Sequence, residues 1–289
     1  MTYITLKENE GAGIGHNSCY INNLIYLVHS KSNLKYLHTP FQHKSKYYDI
    51  ILQYNKIYEN NNVNYENLNK INITNISDFD LNDDNTLLIV DEKMMSLYIN
   101  NNNLKNKNIT NEVNEILIKN KINIRNFLKD DIDYDINSIN ITLHIRRGDI
   151  MKNNKYLNSF KSRYLPNEYY TNILNKLQNL NLGKLKINIV SDAKMSDFEN
   201  DFKDFNINYI LPKIYHSEEL KRKTISYLIF NDILVTAPSG FSNISTIYST
   251  GLVINNNIKG ILKSNCDVKK KLDLDNMNRK EILNKMKKN

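Results

Sequence analysis

The sequence predicts an α/β chain: two tandem units, each a parallel sheet with helices on both faces, with a cleft between them. Three observations lead there. Short apolar runs alternate with stretches of helical periodicity, most clearly in the second half, and that alternation is the pattern of parallel strands joined by crossover helices. The chemically distinctive residues fall where the apolar runs stop, which is where open parallel sheets bind ligands. The 289 residues fit about two domains and suffice for two cores.

In the first half, Tyr3, Ile4, Thr5 and Leu6 predict a strand. The segment Glu10-Gly11-Ala12-Gly13-Ile14-Gly15-His16-Asn17 comes next, with three of the chain's eight glycines in five residues. Tyr20, Leu24, Leu27 and Val28 then recur at helical spacing. Residues 34–38 predict a second strand stopped near Pro40, and residues 42–70 are polar and helical in parts. Residues 86–91 predict a buried strand, and residues 111–128 a helix with Val113, Ile116, Leu117 and Ile124 on its apolar side. The acidic turn at 130–135 marks the boundary, so the first domain is residues 1–135.

The second half opens on an alternating apolar run from Ile139 to Ile145 that ends in His144-Ile145-Arg146-Arg147-Gly148-Asp149. Pro166-Asn167-Glu168-Tyr169-Tyr170 opens a helix, with Pro166 suited to its start and Ile173, Leu174 and Leu177 on its apolar face. Residues 186–190 predict a strand ending at Ser191-Asp192, residues 195–202 a helix, and residues 208–211 a short strand. After a helix over 218–230, residues 233–236 form a strand that ends in Ala237-Pro238-Ser239-Gly240-Phe241-Ser242. A helix over 243–249 and a strand over 251–254 close the second domain, residues 136–262, and a Lys-rich tail, residues 263–289, ends in an amphipathic helix.

Composition excludes several classes. Apolar residues at 40% and aromatics at 10% describe a globular chain. The excess of Asn, Ile, Lys and Tyr matches AT-rich codons, so the rarer Gly, Pro, Arg and His carry more information. A net charge of +8 fits either a nucleic-acid partner or lysines on a solvated surface. The lysines stand singly and no nucleic-acid motif accompanies them, which favours the surface. Cys19 and Cys266 lack metal-ligand spacing and read as thiols of a reducing compartment. There is no apolar run of membrane-span length, and residues 1–10 lack the regions of a signal peptide. The expectation is a cytoplasmic or otherwise soluble protein without nucleic-acid or membrane partners.

Two adjacent guanidiniums at a strand end suit a polyanion, because each offers a planar fork of donors to phosphate oxygens. A surface Arg–Asp pair is the plainer alternative. The glycine segment between strand and helix brings backbone N–H groups close to an anion or sugar, or is simply a tight turn. Asp192 reads equally as a helix cap, and so does the segment Ser239 to Ser242, where Ser242 precedes a helix. Capping and phosphate binding are compatible at a helix start. No G-x-S-x-G elbow, no Walker loop and no tetrahedral metal spacing occurs. His216 with Glu218 and Glu219 reads as a solvated helix start.

His144-Ile145-Arg146-Arg147-Gly148-Asp149 resembles the H-x-R-R-G-D motif of the GDP-fucose-dependent fucosyltransferases, the superfamily of α1,2-, α1,6- and protein O-fucosyltransferases. Pro166 to Tyr170 is similar to the helix opener downstream of that motif in the α1,2 branch. Ser239-Gly240-Phe241-Ser242 resembles the S-x-F-S segment, and Gly11 to Asn17 the N-terminal glycine loop. The resemblance implies a two-domain GT-B fold, two Rossmann-like domains facing a central cleft. It implies acceptor-side groups at Gly11, Gly13, Gly15 and Asn17, and a donor site in the second half. It implies inverting transfer from GDP-fucose to a glycan acceptor with no metal or other cofactor. Arg146 would hold the diphosphate, with Arg147 beside it. His144, Ser239, Gly240, Phe241 and Ser242 would contact the nucleotide, and Asp192 is the candidate to read guanine. The linkage stays open: the position where the α1,6 branch has Glu holds Asn154, and no Trp comes after the S-x-F-S segment. The general base stays open between His16 and Asp149. Another GDP-sugar as donor, or a non-catalytic nucleotide-sugar or glycan binder on the same fold, are the rival readings.

Overall fold

The computed structural model describes residues 2–10, 12–43, 46–56, 63–101, 111–148, 150, 163–211, 218–255 and 272–287. The chain divides into two compact units, Met1–Asn126 and Phe127–Asn289. Both are α/β and each holds one wholly parallel sheet, a pattern compatible with Rossmann-like folds. No helix among the described residues is long and apolar enough to cross a membrane.

In the first unit β1 (Thr2–Leu6), β2 (Leu34–Tyr36), β3 (Asn69–Asn72) and β4 (Thr86–Val90) lie in the order β2-β1-β4-β3. Central strands of a parallel sheet are covered on both faces, and β1 and β4 are accordingly almost wholly buried. β3 is different. Its Asn-Lys-Ile-Asn sequence is largely exposed at the sheet edge, so the apolar pattern that reveals a strand is missing and the sequence reads as polar and helical up to Lys70. Helix α1 (Ile14–Ser30) buries Ile21, Leu24, Ile25 and Leu27 completely. Helices α2 (Lys46–Leu52), α3 (Glu92–Asn101) and α4 (Asn111–Leu128) complete the unit's main elements. Helix α1 comes after β1 and α3 after β4, so both start at the carboxyl ends of two neighbouring central strands.

In the second unit β5 (Ile139–Ile145), β6 (Leu185–Ser191), β7 (Ile207–Ile210), β8 (Ile233–Val235) and β9 (Leu252–Ile254) run in the order β7-β6-β5-β8-β9. The chain winds from β5 outward to β7, crosses back, and continues through β8 to β9. The winding direction therefore reverses between β5 and β8, and the crevice there is the favoured ligand position of such sheets. Strand alternation divides the core. Ile141, Leu143, Ile145 and Ile189 pack with Tyr170, Leu174 and Leu177 of α5 (Asn167–Asn179). Val190, Leu234 and Val253 pack on the other face with Tyr227 and Leu228 of α6 (Glu218–Ile229). Helices α7 (Gly240–Tyr248) and α8 (Arg279–Met286) complete the unit.

Three sequence expectations change. The units part before Phe127 rather than at 135, because residues 127–135 are tied to the second sheet's surroundings: Arg222 lies over the Phe127 ring at 4.5 Å and bonds Asp131 at 2.9 Å, and Tyr134 donates to Asp232 at 2.7 Å. The helix expected over 195–202 is one 3-10 turn, Met195–Asp197, closed when the Asp197 carboxylate accepts the Lys194 N–H; Phe198 and Phe202 are still buried. The described part of the Lys-rich tail is no appendage, since Leu272 and Ile282 belong to the second unit's core.

Candidate functional site

β5 carries His144 to the carboxyl end of the sheet. His144 is in register with Val190, so its ring emerges on the face that holds Leu234 and α6 rather than the α5 face. There Nδ1 hydrogen-bonds Ser242 Oγ, and the ring meets Phe241 edge-on at 5.6 Å between centroids. Tyr170 fixes the strand end by donating to the His144 carbonyl at 3.1 Å. Ser242 Oγ also accepts the Ala237 N–H at 3.0 Å. With one proton and two lone pairs, the Ser242 hydroxyl can pair with Nδ1 in either ring tautomer. Burial drives the His144 pKa down to about 4, with nearby Arg146 adding to the fall and Asp192 opposing it. His144 is therefore neutral at physiological pH.

Ser239, not Ser242, caps α7. Its side chain accepts the Ser242 N–H at 3.0 Å, and the helix starts at Gly240, three residues earlier than the sequence indicates. That first turn presents Phe241 and Ser242 directly to His144. Gly240 and Phe241 remain partly exposed at the mouth while Ser239 and Ser242 are buried.

The two arginines have different surroundings. Arg147 is 4% exposed; its guanidinium donates to Asn167 Oδ1 at 2.6 Å and to the Arg146 carbonyl at 2.9 Å, and it lies over the Tyr164 ring at 4.6 Å. Those bonds engage its fork within the fold. Arg146 is half-buried, close enough to His144 to act on its charge. Asp192, at the end of β6, accepts the Arg147 backbone N–H at 2.7 Å. A side chain at Gly148 would begin 2.2 Å from the other Asp192 oxygen, so the glycine and the carboxylate fit each other across the turn. Asp192 thus braces the arginine turn, a task its isolated position in the sequence does not announce. Asp149 lies outside the described residues. The structure brings Phe241 and Ser242 against His144 where β5 ends, with Arg146 and Asp192 near enough to act on the His144 charge. Asn167 was legible only as a helix opener; its role in holding Arg147 had no sequence signal.

The Asp131-x-Asp133 spacing is used for packing: Asp131 pairs with Arg222 and Asp133 with Lys186 at 2.6 Å. A cavity of about 440 Å³ lined by Gln178, Asn181, Gly183, Leu185, Ile187 and Asn206 opens at the other end of β6. Its lining has no charged group, so it does not suit a diphosphate.

In the first unit the glycine segment is held by Asn17, which is fully buried and accepts the Asn9 N–H at 3.2 Å. Gly13 is the N-cap of α1 in an extended conformation without a side-chain cap, and a Cβ there would meet nothing within 4 Å. Packing within the unit does not explain this glycine. Gly15 is buried in the first turn of α1, and Gly11 lies outside the described residues. His16 stands exposed in the same turn, its Nε2 2.5 Å from Glu92 Oε1. Burial and the Glu92 charge push the Cys19 thiol up to about 12, so it is no nucleophile at neutral pH.

No family model matches the chain, and no curated protein gives a significant match.

Proposed function

We propose that the protein is an inverting, metal-independent glycosyltransferase of the GT-B class that moves fucose from GDP-fucose to a glycan hydroxyl. In this reading the unit Phe127–Asn289 takes the donor and the unit Met1–Asn126 the acceptor. The observation that carries it is the convergence of His144, Arg146 and the first turn of α7 on the crevice between β5 and β8. A nucleoside diphosphate leaves as an anion, and a transferase speeds its departure by fixing donors where that charge develops. Arg146 supplies a planar cationic fork and the α7 start a positive helix end. Each charge-assisted hydrogen bond contributes about 1.5–3 kcal/mol, so a few of them match what a metal ion would otherwise do. The resemblance of residues 144–149 and 239–242 to the fucosyltransferase motifs selects GDP-fucose among diphosphate sugars.

The test is a thermal-shift series with GDP, GDP-fucose, UDP, ADP and inorganic phosphate. A ligand at a hundred times its dissociation constant stabilises by about 2.7 kcal/mol, well within reach of the method. GDP and GDP-fucose are expected to raise the melting temperature most. Equal shifts for all three diphosphates would remove the guanine preference, and no shift with any would remove the donor site.

A further inference from the structure

We propose that Glu92 is a positioning residue that orients His16 as the general base of the transfer. The inference rests on the function proposed above and adds to it the group that receives the acceptor's proton. The two residues come from separate elements at the carboxyl ends of neighbouring strands: His16 from the first turn of α1, Glu92 from the first residue of α3. His16 Nε2 is 2.5 Å from Glu92 Oε1, and that same oxygen accepts Asn9 Nδ2 at 3.0 Å. The carboxylate is therefore fixed by three things: its helix start, which favours a negative charge there, the Asn9 amide, and the imidazole. With the ring proton on Nε2 and directed at Glu92, the lone pair sits on Nδ1. The His16 side chain is 48% exposed against 24% for Glu92, the arrangement expected of an accessible base with its orienting group behind it.

The step is balanced. An acceptor hydroxyl oxygen forms a bond to the anomeric carbon, the bond from that carbon to the diphosphate breaks, and GDP takes the electron pair. The hydroxyl proton passes to His16 Nδ1, and Glu92 stabilises the imidazolium that results. Among the described residues the groups that face His16 are Glu92 from α3 and Tyr20 from its own helix, whose ring lies 5.2 Å away and whose hydroxyl is bonded to Ser96. Asn9, after β1, approaches through Glu92 and carries no charge.

The probe reaction is GDP release from GDP-fucose, with water alone and with methyl β-galactoside as acceptor. His16→Gln is expected to slow turnover at least 100-fold, with the GDP-induced thermal shift unchanged, and His16→Ala to recover turnover on addition of free imidazole. Glu92→Gln is expected to reduce kcat about tenfold with the acceptor KM and the melting temperature unchanged, and Glu92→Asp to recover part of the lost rate. A purely structural Glu92 would lower the melting temperature and leave kcat of the folded protein in place, which overturns the proposal. So does a His16→Gln protein that keeps wild-type turnover while still releasing GDP. A wild-type protein that neither binds GDP nor cleaves GDP-fucose overturns the donor reading and the dyad together, so the two failures are distinguishable.

Discussion

His144 Nδ1 and Ser242 Oγ are hydrogen-bonded across 98 residues of sequence, and this contact joins the end of β5 to the first turn of α7. It explains why a histidine is placed near the end of a buried strand. The ring is neutral, and the hydroxyl it bonds also accepts the Ala237 N–H.

The bond has a pH signature. In the unfolded chain His144 titrates near its ordinary 6.5, whereas in the fold burial holds it down to about 4. Between those values the unfolded state binds a proton that the native state refuses. The stabilisation is present in full above about 6.5 and is lost as pH falls towards and through about 4, up to roughly 3 kcal/mol. Melting temperatures of wild type and His144→Gln across pH 4 to 8 check this: the wild type is expected to fall more steeply on the acid side. Parallel curves would exclude His144 as the group responsible.

In the proposed donor site the two arginines are expected to respond differently to substitution. Arg146→Lys keeps charge but loses the fork, and is expected to slow GDP release from GDP-fucose roughly 100- to 1000-fold, about 2.7–4 kcal/mol, while the GDP-induced thermal shift weakens. Arg147→Lys forfeits its bonds to Asn167 and the Arg146 carbonyl and its stacking on Tyr164, and is expected to destabilise the fold by about 1.5–3 kcal/mol. Near wild-type turnover for Arg146→Lys would sink the diphosphate role of that residue.

Much of this architecture was legible because parallel strands advertise themselves. The covered strands β1, β4, β5, β6 and β8 are runs of buried aliphatics, and strand-end chemistry is a consequence of sheet topology. β3 escaped because an exposed edge strand needs no apolar residues. Asp192 and Asn167 were seen as single polar residues. Their partners, the Arg147 backbone and guanidinium, lie 45 and 20 positions away, and no local pattern encodes such pairings. The Glu92–His16 pair escaped for the same reason: Glu92 alone is one more acidic residue at a helix start.

Thr142 offers a cheap gain in stability. It is fully buried in β5, and its hydroxyl has no hydrogen-bond partner among the described residues. An unsatisfied buried hydroxyl costs about 1–3 kcal/mol, and valine has nearly the same shape. Thr142→Val is expected to raise the melting temperature; a clear fall would mean that the hydroxyl is satisfied in solution by a bound water.

Chelation is expected to leave GDP release from GDP-fucose intact. The D-x-D spacing at Asp131 and Asp133 is engaged by Arg222 and Lys186, so those carboxylates already have cations. Loss of turnover in EDTA, restored by manganese, would overturn this.

Two glycines give opposite expectations. At Gly251 a Cβ would lie 2.5 Å from the Asn231 carbonyl oxygen and from the Asp232 carbonyl carbon, which are backbone atoms of the turn into β8. Neither can move without disturbing the Asp232 N–H bond to Asn140 that sets β8 beside β5. Gly251→Ala is therefore expected to destabilise by about 1–3 kcal/mol, the usual cost of overpacking a rigid site. At Gly13 a Cβ would meet nothing, and the extended backbone there suits any residue. Gly13→Ala is expected to fold and to melt within about 1 kcal/mol of wild type, since alanine restricts the unfolded chain but caps a helix start less well than glycine. Its turnover is the informative quantity: a rate that falls while melting temperature and the GDP-induced shift hold shows a ligand closing on the α1 start. If Gly13→Ala and the even bulkier Gly13→Val both keep full turnover, nothing approaches that turn and the acceptor-side assignment of the glycine segment is lost.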